Sequence, residues 1–202
     1  MHTAKWFYPS KLNLKSDTKN GQISSDQRKW SELKLFYRQH LPYSKPNIND
    51  QIALISLATQ LGQSNHQPDS IQLGSIKVLS DSDLQQTSVI NEKLLNEQAK
   101  ITAAIRLKTI GKSQLITGLV VAKHARGKGL AHQLMNFIRP KLLKTRSYVF
   151  AIPELESFYQ AYGFHQIKSI SQNNLVDNDV LQQFDKYHSL ERPLILMKKA
   201  TE

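Results

Sequence analysis

Leu119-Val120-Val121-Ala122-Lys123-His124-Ala125-Arg126-Gly127-Lys128-Gly129-Leu130-Ala131 passes from an apolar, partly β-branched run, through a short basic turn carrying two glycines, into a helical pattern. The run reads as a strand because β-branched residues fit a pleated, buried surface. Beyond the turn, Leu130, Leu134, Met135, Phe137 and Ile138 fall on one helical face, and Pro140 should kink or restart that helix. A helix start leaves backbone N–H groups unpaired and carries partial positive charge, so a strand-turn-helix of this kind can hold an anion. Gly127 and Gly129 remove the Cβ atoms that would block close approach, and Ala131 keeps the first turn small. Arg126 and Lys128 add charge.

The surrounding chain alternates strand and helix signals without a strict repeat. Upstream, 101–110 and 115–122 are strand candidates joined by the turn Gly111-Lys112-Ser113, which predicts an antiparallel hairpin. Downstream come a strand at 148–152, a short helix at 155–162 stopped by Gly163, and a strand at 164–170. A weak helix at 180–187 and a last strand at 194–197 follow. Toward the N-terminus, Ser24 with Gln27 fits a capping box, and Trp30, Leu33, Phe36, Tyr37 and Leu41 then recur at helical spacing up to Pro42. Residues 52–57 read as a buried strand. The polar segment at about 62–98, with Ile76-Lys77-Val78-Leu79 inside it, reads as an insertion. Trp6, Phe7 and Tyr8 fit either a short strand or an arm packed on the core. Together these imply one mixed α/β domain over residues 1–202.

Composition narrows the chemistry. With 202 residues, 40% hydrophobic and 21% charged, the chain has enough apolar content for one sizeable core. It holds no cysteine, which excludes disulfides, thiolate metal sites and a cysteine acyl-enzyme. The seven histidines show no metal-ligand spacing, so no metal is expected. The first residues lack the apolar run of a signal peptide, and no stretch of about 18 apolar residues is present, which leaves the cytoplasm as the expected compartment and no membrane partner. The 27 basic against 16 acidic residues, net +11, favour anionic partners without choosing between a phosphorylated ligand, nucleic acid and simple solubility.

Two common phosphate motifs are absent. For Gly111-Lys112-Ser113 to close a Walker loop, position 106 would have to be glycine, and it is Arg106; no Gly-x-Gly-x-x-Gly occurs. What remains resembles the GNAT (GCN5-related) N-acetyltransferase superfamily, whose signature is Arg/Gln-x-x-Gly-x-Gly/Ala at a strand–helix junction. Arg126, Gly129 and Ala131 match it, and Val121 supplies the apolar residue five positions earlier. A second family motif, an aromatic pair followed three residues later by Gly-Phe, is matched by Phe158-Tyr159-Gln160-Ala161-Tyr162-Gly163-Phe164. The likeness runs from about residue 50 to 168, interrupted by the polar insertion.

The resemblance implies a mostly antiparallel sheet splayed between its fourth and fifth strands and flanked by helices, with acetyl-CoA as cosubstrate in the V between them. It implies that the backbone of Leu119, Val120 and Val121 holds the pantetheine arm, and that the amides of Arg126, Gly127, Lys128, Gly129, Leu130 and Ala131 take the pyrophosphate. An amide aimed at the acyl oxygen stabilises developing charge by roughly 3 kcal/mol. Tyr159 matches the family's general acid for the departing thiol. The base is less defined: Glu154, directly or through water, comes first and His124 second. Arg106, between Ile105 and Leu107, either points into the cleft to pair with a substrate carboxylate or faces solvent. No Asn stands near Ile152, where many relatives hold the pantetheine, so that contact is missing.

The reaction implied is direct acetyl transfer, in a ternary complex, to a primary amine of a small molecule. Two other readings stand beside it: a protein or peptide N-acetyltransferase, and a non-catalytic CoA- or nucleic-acid-binding module on a degenerate scaffold, the latter less favoured. Many GNAT-like enzymes are dimers, which leaves a homodimer open.

Overall fold

The computed structural model describes residues 3–12, 24–57, 100–168 and 176–200, so the segment read as an insertion, with its apolar stretch at 76–79, lies outside the described residues. Helix α1 (Ser25–His40) starts at the capping box read from the sequence. The Gln27 amide donates to Ser24 Oγ at 3.2 Å, and the Ser24 amide donates to Gln27 Oε1 at 3.1 Å, so two otherwise orphaned N–H groups are satisfied. Its buried face is Trp30, Leu33, Phe36 and Tyr37.

Among the described residues, seven strands form one sheet: β1 (Ala4–Phe7), β2 (Gln51–Ser56), β3 (Ile101–Ile110), β4 (Ser113–Val121), β5 (Ser147–Ala151), β6 (Phe164–Gln166) and β7 (Ile195–Lys199), in the spatial order β1-β2-β3-β4-β5-β7-β6. Trp6 and Phe7 therefore belong to a strand antiparallel to β2, and Tyr8 caps the 3-10 turn that follows it. The β3–β4 hairpin turns at Gly111 and Lys112, with Gly111 at φ 53°. All pairs are antiparallel except β4–β5. Three further helices, α2 (Leu130–Ile138), α3 (Glu156–Gln160) and α4 (Asn178–Tyr187), fill the connections. Pro140 converts the end of α2 into a 3-10 turn at Arg139–Lys141. The helix expected at 155–162 is shorter, because a 3-10 turn at Pro153–Leu155 precedes α3 and Gly163, at φ 79°, follows it.

Two aromatic contacts fix which helix covers which face. Trp6 and Phe7 are neighbours on β1 and so point to opposite faces. Trp6 meets Phe137 of α2 at 5.3 Å, and Phe7 meets Trp30 of α1 at 6.3 Å. Phe7 lies opposite Ile52, Ile52 opposite Arg106, and Arg106 opposite Thr117, so this row belongs to the α1 face. Lys108, two residues on from Arg106, and its partner Leu115 share that face, where Leu115 packs with Tyr148 and Val180 of α4 in a second apolar cluster. Helices α1 and α4 thus lie on one side of the sheet and α2 on the other.

A β-bulge interrupts β3–β4. Ala104 opposes Val120 and Arg106 opposes Thr117, so Gly118 and Leu119 together face Ile105. Gly118 adopts φ 61°, and its carbonyl accepts a 2.8 Å hydrogen bond from the Tyr37 hydroxyl. The parallel β4–β5 pairing ends at Ile116 and Val149, so β4 beyond Ile116 and the last residues of β5 diverge. A side chain at Gly118 would meet two conflicts: its Cβ would stand 2.7 Å from Arg106 Nε and 3.0 Å from a Tyr37 ring carbon, in a left-handed conformation. Gly118→Ala should therefore lower stability by about 2–4 kcal/mol, adding backbone strain to overpacking. Urea unfolding measures this, and a loss below about 0.5 kcal/mol, the scatter of ordinary surface changes, would mean that the bulge does not need glycine.

Candidate active site

The loop between β4 and α2 is built from the backbone outward. After β4 a 3-10 turn at Lys123–Ala125 leads to Arg126, whose Nε donates to the Val121 carbonyl at 3.3 Å and ties the loop back to the strand. Gly127 and Gly129 take φ 75° and 71°, with Gly129 as the N-cap of α2. Modest strain excludes most side chains from these angles, and a Cβ at either position would meet nothing within 4 Å, so open space stands over both. The amides of Gly127, Lys128, Gly129, Leu130 and Ala131 make no hydrogen bond to another described residue. Leu130 alone of these is buried, its side chain anchoring the helix start in the core. Free amides, a helix N-terminus and open space fit a diphosphate.

Positive charge gathers beside this loop. The pKa of His40, at the end of α1, is lowered first by burial and then by the positive charges of His124, Arg126, Lys100 and Lys123. His124 is exposed on the 3-10 turn. Behind the loop, 117–121 of β4 has left β5, so the edge that Leu119, Val120 and Val121 present toward β5 has no strand partner among the described residues.

On the α1 face a cavity of about 280 Å³ opens at the divergence of β4 and β5, with Thr117 and Phe150, the first residues past the last pair, in its wall. Arg106 lies in it, 5% exposed, pairing with Asp50 at 2.6 Å and donating to the Lys45 carbonyl at 2.9 Å and to Ser44 Oγ. Its guanidinium carbon stands 5.0 Å from the centre of the Tyr37 ring. Only Nε, buried, has no partner. Of the two orientations open to Arg106 in the sequence, the structure has the inward one, yet most of its donors serve Asp50, the Lys45 carbonyl and the Ser44 hydroxyl.

Tyr159 is buried (5% exposed) in α3, its ring edge-on to Phe158 at 5.0 Å and to Phe164 at 6.3 Å. Burial pushes its phenol well above the usual tyrosine range. Glu154, exposed on the turn after β5, is not part of the cavity wall. Sequence reading missed a link between these parts: His132, in the first turn of α2, shares a 2.7 Å hydrogen bond through Nδ1 with the Tyr162 hydroxyl, and its ring lies 5.0 Å from Phe158. The one available signal was its place three residues after Gly129. The cavity residues Asp50, Lys108 and Arg192 carry no local motif and meet only through the sheet and the 42–50 loop.

The description "Acetyltransferase (GNAT) domain" matches residues 77–177. Among solved structures, Escherichia coli ElaA is 14% identical, with 98% of this chain and 99% of that chain covered and a TM-score of 0.50. An acyl-CoA N-acyltransferase from Pseudomonas aeruginosa is 16% identical, covering 99% and 100%, with a TM-score of 0.51. The N-acetylglutamate synthase of Neisseria gonorrhoeae, complexed with coenzyme A and N-acetyl-glutamate, is 10% identical; it covers all of this chain but 36% of that one, at a TM-score of 0.51. These likenesses concern the fold. No curated protein matches the chain by sequence.

Tyr37 and Tyr159 give the folded protein a distinctive alkaline behaviour. Burial raises both phenols above 10.0; for Tyr37 the nearby Arg106 opposes and Asp50 reinforces the rise. The folded state keeps protons that the unfolded chain releases, so stability is unaffected below about pH 10 and falls above it, by up to about 1.4 kcal/mol per pH unit for each tyrosine. Denaturant midpoints should hold steady up to about pH 10 and fall steeply between about pH 10 and 12. Tyr159→Phe should make that fall shallower, and an equal slope in the variant would show that Tyr159 titrates normally.

Proposed function

The chain belongs to the GNAT acetyltransferase family and is an N-acetyltransferase that uses acetyl-CoA, and we propose that it transfers the acetyl group directly to a primary amine of a small molecule in the cytoplasm. The observation that carries this reading is the position of two openings at one divergence of strands: the amide-lined loop starts α2 on one face, and the cavity lies on the α1 face. Two ligands entering from opposite sides meet in the gap, which suits a ternary complex and needs no acyl-enzyme. The cavity, about 280 Å³, is at the small end of ligand pockets, which run about 300–1,000 Å³.

Acetyl-CoA supplies an acetyl group already activated as a thioester. The amides of 127–131, with Arg126 and Lys128, hold its diphosphate. The free edge of β4 at Leu119, Val120 and Val121 aligns the pantetheine arm, and an N–H there stabilises the charge that develops on the acyl oxygen. Tyr159, protonated at neutral pH as any phenol is and held more firmly so by burial, delivers its proton to the departing sulfur. Glu154, a carboxylate with no ion pair among the described residues, accepts the amine's proton through water.

Titration calorimetry with acetyl-CoA tests the cofactor site. The wild-type protein should bind it, and the double variant Arg126→Ala, Gly129→Val should bind at least tenfold more weakly; binding unchanged in the variant would move the cofactor off this loop. His40 adds a spectroscopic reading. Bringing phosphate negative charge to Lys100, Lys123, His124 and Arg126 offsets the repulsion that depresses its pKa, so NMR titration should show that pKa rise when acetyl-CoA binds. For the chemical step, Tyr159→Phe should lower kcat about 10²–10⁴-fold with acetyl-CoA affinity retained. A variant with full kcat would remove Tyr159 from the proton transfer.

A further inference from the structure

Resting on the transferase reading, we infer that the acceptor carries a carboxylate beside its amine, in the manner of an amino acid, and that Lys108 and Arg192 are the residues that select it. The cavity wall holds four cationic side chains, Lys45, Arg106, Lys108 and Arg192, and a single acidic one, Asp50. Asp50 is bound to Arg106 at 2.6 Å with both side chains almost fully buried, so these two cancel. Three unit charges then remain: Lys45, Lys108 and Arg192.

These three come from three separate parts of the chain. Lys45 is on the loop after α1, Lys108 is on β3 facing the same side as Arg106, and Arg192 is on the segment leading into β7. Neither Lys108 nor Arg192 has an ion-pair partner among the described residues. Arg192, exposed at the cavity rim, has its guanidinium 5.7 Å from the centre of the Tyr43 ring, while its backbone amide donates to Ser189 Oγ at 3.1 Å. A planar guanidinium there matches the two oxygens of a carboxylate.

The field of such a cavity discriminates among amines. A polycationic amine meets repulsion at every wall, whereas an amino acid brings a carboxylate that neutralises one charge. The remaining positive charge favours the neutral form of the amine over its ammonium, which is the form that attacks an acyl carbon. The Arg106–Asp50 pair serves as a fixed, neutral floor that keeps Asp50 from attracting the ammonium.

The test has two arms on the full-length protein. In the first, initial rates with acetyl-CoA are compared for matched acceptors: L-leucine against L-leucinamide and isoamylamine, L-glutamate against its diamide, and spermidine. The carboxylate-bearing members should have kcat/KM at least tenfold above their partners, with spermidine poorest. Lys108→Met and Arg192→Met should each raise KM for the preferred acid about tenfold while kcat changes little, and Lys108→Glu should narrow or reverse the preference. Equal rates, preference for the amides or spermidine, or turnover of none of the acids overturns the inference. The second arm omits acetyl-CoA: L-glutamate should raise the melting temperature in a saturable way, cadaverine should not, and Lys108→Met should abolish the shift. No shift in the wild type, or one retained in the variant, overturns the inference as well. Failure to bind acetyl-CoA in calorimetry speaks against the transferase reading, and leaves the second arm to decide the cavity.

Discussion

The hydrogen bond from the Tyr37 hydroxyl to the Gly118 carbonyl holds the one irregularity on which the site depends. Without the extra residue, β4 would continue its regular pairing to β3 and could stay beside β5 along its whole length. A bulge bends its strand and increases the local twist, and here the last β4–β5 pair, Ile116 with Val149, falls two residues before Gly118. Beneath the bulge lies the buried assembly of Tyr37, Arg106 and Asp50. A buried ion pair adds little net stability compared with apolar side chains of the same volume, although removing one partner costs about 3–5 kcal/mol. Our reading is that this pair specifies position: it sets Arg106 at a fixed height under Gly118 and closes the 42–50 loop over the α1 face.

From that divergence the division of labour follows. The sheet is a wall with a gap in it, and the helices on its two faces leave different chemistry on each side. Helix α2 brings its N-terminus, with unpaired amides and left-handed glycines, to one side. Helices α1 and α4 leave a cavity with a cationic wall on the other. Part of the +11 charge excess therefore faces two specific openings. Lys123, Arg126 and Lys128 stand by the loop, while Lys45, Lys108 and Arg192 stand in the cavity. This use of charge needs no nucleic acid, and it accounts for basic residues that a diphosphate alone would leave idle.

How far the sequence disclosed this depends on the range of the interaction involved. Local rules located the capping box at Ser24 and Gln27, the hairpin at Gly111 and Lys112, and the glycine stop after α3, since each is decided within about four residues. The glycine-bearing turn into α2 was legible for the same reason, because glycine spacing and a helix start are properties of consecutive residues. Edges and orders were less so. Trp6 and Phe7 fitted strand or arm until β2 supplied a partner, and of the β6 candidate at 164–170 the described part pairs with β7 over Phe164–Gln166. The bulge was not foreseen, since Gly118 inside a strand pattern looks like any weak strand residue until Ile105 is found facing two residues at once. The cavity was the least legible part. Asp50 and Arg106 are 56 positions apart, and Lys108 and Arg192 further still, so only the assembled sheet reveals that one acid neutralises one of four cations.

The burial of Tyr159 constrains any account of the proton in acetyl transfer. A phenol in water is a poor donor to a thiolate, since their ordinary pKa values, about 10 and 8.5, place the proton on oxygen. Burial raises the phenol further, which makes the donor look worse. The comparison changes when the acceptor shares the same surroundings. Desolvation disfavours a thiolate for the same reason that it disfavours a phenolate, so moving both groups into one apolar enclosure lifts both affinities and leaves their difference near its value in water. Phe158 and Phe164 around Tyr159 provide such an enclosure. A phenol stays protonated through the physiological range whether exposed or buried; what burial adds, in the proposed transfer, is that no water competes for the Tyr159 hydroxyl as the sulfur departs.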